Sequence, residues 1–72
     1  EHHVERLAEV IAACAVPQSA ADIVPIMFRR PLDAHQLSFA LGEALAHLHK
    51  LWYDGRLTRV AGADGVLLFT QI

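Results

Sequence analysis

Five histidines, one cysteine and eight carboxylates in 72 residues are the groups from which a metal site or an acid–base pair would have to be built. Spacing decides against most of them. His47 and His49 are two positions apart in a stretch with strong helical signals, about 200° around the axis, so they cannot share an ion. Glu43 and His47, four apart, could reach one metal together, but no third ligand stands at a suitable interval. A solvated Glu–His pair on one helix face accounts for them. His35 falls in a first helical turn and reads as a hydrogen-bonding contact rather than a base. His2 and His3, at a terminus expected to fray, read equally well as a tag remnant or as surface residues of an opening helix. Ser19 and Ser38 have no histidine placed to activate them, and Gly42, Gly55, Gly62 and Gly65 form no phosphate-cradling loop. Cys14 sits among alanines and reads as a small buried residue of a chain kept in a reducing, cytoplasmic compartment. No catalytic residue, metal site or cofactor is therefore expected in this segment, and its chemistry is expected to lie outside it.

The elements that carry these residues follow from capping and periodicity. From Asp33 to Asp54 the sequence has no proline and a cap at each end, so it predicts one helix of about six turns, roughly 33 Å long. Asp33 is placed to cap it, Gln36 to complete a capping box, and Gly55 to stop it with a positive φ. Leu37, Leu41, Ala44, Leu45, Leu48 and Leu51 or Trp52 have the spacing of a buried stripe. Upstream, residues 2–15 predict a first helix with Val4, Leu7, Ala8, Ile11 and Cys14 inward and Glu5, Arg6 and Glu9 wet. Val16-Pro17-Gln18 ends it, with Gln18 adding a short extended piece. Ser19 caps a second, short helix, with Asp22 in its first turn and Ile23, Ile26 and Met27 inward. Pro25 predicts a kink or a final 3₁₀ turn there. Arg29-Arg30-Pro31-Leu32 connects to the long helix. Beyond Gly55 the period becomes two: Leu57–Val60 is a strand, Ala61–Gly65 a turn, and Val66–Thr70 the returning strand. Helix, helix, turn, longer helix and hairpin is the order of a winged helix, an α+β fold, here over residues 1–72 as one domain.

Composition narrows the class further. Hydrophobic residues make up 54% of the chain and asparagine is absent, which sets disorder aside. No apolar run approaches the ~18 residues of a membrane span, and no signal-peptide pattern is present. The opening residue, Glu1, suggests a segment cut from a longer protein. The net charge is −2 with only six basic side chains, so nothing marks a nucleic-acid or membrane surface.

The face of the long helix opposite the stripe holds His35, Gln36, Phe39, Gly42, Glu43, Ala46, Lys50 and Tyr53. A DNA-reading winged helix needs Arg, Lys, Asn or Gln there, with cations around it. One lysine with an apolar centre suits DNA poorly, and Arg29, Arg30, Arg56 and Arg59 are the only support. A DNA-binding regulator domain is kept as the rival reading. Phe39, Ala46 and Tyr53 recur every seven residues where a free-standing domain should carry charge. Gly42 beside them costs about 1 kcal/mol against alanine unless another backbone approaches. His35, Phe39, Gly42, Ala46 and Tyr53 are therefore expected to contact a partner surface, either the rest of the parent chain or a second copy. Arg29 and Arg30 are expected to add polar contacts.

One string stands out: Phe28-Arg29-Arg30-Pro31-Leu32-Asp33-Ala34-His35-Gln36, continued by Phe39-Ala40-Leu41-Gly42-Glu43-Ala44-Leu45-Ala46-His47-Leu48 and by Gly55-Arg56-Leu57. It resembles the C-terminal winged-helix domain appended to bacterial metallo-β-lactamase-fold hydrolases, over essentially the whole chain. The resemblance implies a separate αββα catalytic domain. That domain would hold one or two zinc ions through an H-x-H-x-D-H motif and hydrolyse thioesters, phosphodiesters or related bonds. This sequence has no H-x-H-x-D-H, so no catalytic residue carries over. What the resemblance implies for this segment is an accessory role: packing beside the metal cleft, shaping the substrate entrance and assisting dimerisation.

Overall fold

The computed structural model describes residues 2–72, with side chains described from Glu5 onward; the expected roles of Val4, His2 and His3 lie outside the described side chains. Three helices, α1 (His2–Ala13), α2 (Ala20–Met27) and α3 (Ala34–Tyr53), precede a two-stranded antiparallel hairpin of β1 (Leu57–Ala61) and β2 (Leu67–Gln71). This α+β order is consistent with a winged-helix-like fold. None of the helices among the described residues is long and apolar enough to cross a membrane.

Local chemistry sets the boundaries. The Asp22 amide donates to Ser19 Oγ at 3.2 Å and the Ser19 amide donates back to the Asp22 carboxylate at 3.0 Å. The same reciprocal box opens α3, with the Gln36 amide 2.8 Å from Asp33 Oδ1 and the Asp33 amide 3.1 Å from Gln36 Oε1. At the far end of α3, Gly55 takes φ +78. Its amide donates to the Trp52 carbonyl at 3.1 Å, and that of Arg56 to the Leu51 carbonyl at 2.8 Å. Both bonds of a Schellman closure are thus present, and a side chain at Gly55 would strain it. In α2 the helix continues through Pro25 to Met27 with no 3₁₀ turn, ending where the Phe28 amide reaches the Val24 carbonyl. Losing one donor in the middle of eight residues does not end a helix whose Ile23, Val24 and Met27 are all buried.

The hairpin pairs Leu57 with Gln71, Arg59 with Phe69 and Ala61 with Leu67. Its turn closes on Gly65 (φ +84), with the Val66 amide held by Asp64 Oδ1 at 3.1 Å. Strand β2 is also fastened to the α1–α2 connection. Gln18 and Phe69 exchange amide–carbonyl bonds of 3.0 and 2.8 Å, and the Gln71 amide donates to the Cys14 carbonyl at 2.8 Å. The Gln71 side chain donates to the Ile11 carbonyl at 2.7 Å. The extended piece expected at Gln18 is this one-residue bridge.

The core is Val10, Cys14, Ile23, Val24, Met27, Ala40, Ala44, Leu48, Leu51, Leu57 and Phe69. Two expected faces are rotated. On α1, Val10 is buried and Ala8 exposed. On α3 the buried row is Ala40, Ala44, Leu48 and Leu51, while Leu37, Leu41, Leu45 and Trp52 remain exposed by a third or more of their area. Ala44, Leu48 and Leu51 of the expected stripe are thus buried, and Ala40 joins them in place of Leu37, Leu41 and Leu45. The exposed leucine row then joins the outward face.

Candidate functional site

The outward side of α3 is the most conspicuous surface of the fold. His35, Phe39, Gly42, Ala46 and Tyr53 are all exposed, Phe39 by 67% and Tyr53 by 83%. At 100° per residue these five occupy one narrow sector, and the exposed Leu41, Leu45 and Trp52 widen it on one flank. Single exposed apolar residues are ordinary, whereas here several lie together on one helix face. At Gly42, a Cβ atom would meet nothing within 4 Å among the described residues outside its own stretch of helix. Replacement of Gly42 by alanine is accordingly expected to stabilise this domain by about 1 kcal/mol on its own, read as a raised urea midpoint. The gain should shrink or reverse wherever a second surface is seated on the helix.

Below this face, toward the start of α3, lies a cleft of about 260 Å³ lined by Phe28, Arg30, Leu32, His35, Gln36, Phe39 and Ala40. The capping box fixes the first turn of α3, and with it the positions of His35 and Gln36. The extended backbone at Phe28 (φ −125, ψ 95) turns the chain so that Phe28 and Leu32 floor the cleft. The two neighbouring arginines have different tasks. Arg29 is ion-paired with Glu9 and donates from Nε to the Ile26 carbonyl at 3.4 Å, tying the α2–α3 connection back to α1. Arg30 borders the cleft. Sequence reasoning named Phe28, Leu32 and Phe39 without placing them in one depression, because their meeting depends on how the connection folds over α3.

His47 and His49 serve the fold. His47 Nδ1 lies 2.8 Å from the Glu43 carbonyl and His49 Nδ1 lies 3.0 Å from the Leu45 carbonyl. A carbonyl only accepts, so each Nδ1 carries the proton. The His49 ring also stands edge-on to Phe69 and to Trp52, at centroid separations of 5.3 and 6.1 Å. Trp52 in turn carries the Arg59 guanidinium 3.8 Å over its ring, a contact with no signal in the sequence beyond a cation and an aromatic. Lys50 is paired with Asp54 at 3.1 Å. Ser19 is occupied as a cap, and Ser38 is exposed. Burial pushes the Cys14 thiol above its ordinary range, which makes it a poor nucleophile. Among the described residues no group of three or more His, Cys, Asp or Glu side chains is arranged to hold a metal ion.

A family model described as "Metallo-beta-lactamase-like, C-terminal domain" matches residues 7–72. This chain belongs to that family. A solved structure described as "Crystal Structure of a Beta-lactamase domain protein from Burkholderia ambifaria" shares 60% identity over 99% of the chain, with a TM-score of 0.94. The chain spans 22% of the length of that protein's chain. No curated protein matches it significantly.

Proposed function

We propose that this segment is a non-catalytic accessory domain of a zinc-dependent hydrolase of the metallo-β-lactamase superfamily. In this reading it packs on the metal-bearing domain of its parent chain through the outward side of α3, and by doing so shapes the substrate cleft or a dimer contact. Zinc and the hydrolytic groups belong to the other domain. The observation that carries the reading is the run His35, Phe39, Gly42, Ala46 and Tyr53, exposed among the described residues. Family membership as a C-terminal domain supports it. So does the relative's length, more than three-quarters of which lies outside the matched part. The same face offers little to DNA, since its one lysine is held by Asp54 and its centre is apolar.

The substitution Ala46→Glu in the full-length parent tests this. Ala46 is exposed and outside the core, so this domain should keep its fold while the charge blocks close apposition. Thermal unfolding of the parent is expected to separate into two transitions, and kcat/KM for hydrolysis to fall by about tenfold, an effect of ~1.4 kcal/mol. Unchanged unfolding and activity would refute the docking role. Steeply salt-dependent binding of duplex DNA to the parent would favour the regulator reading instead.

A further inference from the structure

The cleft at the start of α3 has the dimensions and charge of a socket for one side chain. Its volume of about 260 Å³ lies below the ~300–1,000 Å³ of small-molecule sites. Apolar Phe28, Leu32, Phe39 and Ala40 line it together with Arg30, His35 and Gln36. Arg6, Arg30, Arg56 and Arg59 have no ion pair among the described residues, and of these Arg30 lines the cleft. Arg29 is held by Glu9 and Lys50 by Asp54, whereas neither Arg30 nor His35 has a hydrogen bond or ion pair among the described residues. A guanidinium beside an apolar depression is matched by a carboxylate next to a hydrophobic side chain, the guanidinium gripping the carboxylate bidentately. An apolar anchor in a pocket with a charged rim is also how a small number of residues come to dominate an interface.

We propose that this socket receives one apolar anchor residue, flanked by an Asp or Glu, from the metal-bearing domain of the parent chain. The proposal rests on the accessory reading and names the part of the interface that fixes its register. The occupant is taken from the parent because the matched relative carries more than three-quarters of its length beyond the part equivalent to this chain. A covalently attached neighbour also acts at high effective concentration. The socket is continuous with the outward face of α3 through Phe39, which belongs to both.

Hydroxyl-radical footprinting of the full-length parent tests it, with Phe39 reporting on the socket and Tyr53 on the rest of the face. Fourteen residues along the helix, roughly 21 Å, separate the two reporters. The expected result is slow oxidation of both in the unsubstituted parent. In Arg30→Glu, oxidation of Phe39 should rise about tenfold, and in Arg30→Lys by much less. Arg30 is exposed and has no ion pair among the described residues, so circular dichroism should show the variants folded. Protection of Tyr53 with Phe39 fully reactive would overturn the socket and leave docking intact. Reactivity of both would overturn the two together. Protection of Phe39 that appears only at high protein concentration would assign the socket to a second copy, and protection indifferent to Arg30→Glu would remove the carboxylate from the proposal.

Discussion

Phe69→Ala should leave this domain unfolded or nearly so at 25 °C. Phe69 is wholly buried, the largest side chain in the core, and it lies where strand β2, the α1–α2 connection and α3 meet. Its ring stands edge-on to His49 at 5.3 Å, and its backbone exchanges both bonds with Gln18. Truncating such a phenylalanine costs about 3–5 kcal/mol, through lost burial and the cavity left behind. A domain of this size holds only about 4–11 kcal/mol at the usual 0.05–0.15 kcal/mol per residue. The expected observation is a urea transition whose folded baseline is short or missing. Phe39→Ala, at a position two-thirds exposed, should move the same midpoint by no more than about 0.5 kcal/mol. Equal effects at the two positions would mean that the core is misassigned.

The second large effect separates two leucines on one helix. Leu48 is fully buried, while Leu41 and Leu45 are 36% and 39% exposed. Leu48→Ala is expected to cost about 2–5 kcal/mol, and Leu41→Ala about 1 kcal/mol or less. Denaturant midpoints of the two variants, compared at equal slope, measure the rotational setting of α3 directly. A larger loss at Leu41 would restore the leucine stripe as the buried face.

That contrast marks where the sequence was legible and where it was not. Boundaries were readable because they are decided within a few residues. Ser19 with Asp22, Asp33 with Gln36, and Gly55 each act through bonds to their own neighbours, and the Asp64-Gly65 turn does the same for the hairpin. Ala44, Leu48 and Leu51 were readable as inward, but the exact rotation of α3 was not, because Leu37, Leu41 and Leu45 are more apolar and bulkier than Ala40 and so were favoured over it. What decided it belongs to tertiary packing. The exposure of Phe39, Ala46 and Tyr53 was nevertheless readable, since it needed only the angle around one helix. The cleft was not, because Phe28 and Leu32 lie on an irregular connection whose path no periodicity encodes.

The fastening of β2 has a consequence for biosynthesis. Cys14, Gln18 and Ile11 accept or exchange bonds with Phe69 and Gln71, more than fifty positions downstream. A nascent polypeptide that has released only its three helices therefore has open carbonyls around residues 11–18 and a hole where the Phe69 ring belongs. Cooperative closure must wait for the last strand to leave the ribosome, and until then the greasy flanks of α1 and α3 are a natural target for chaperones.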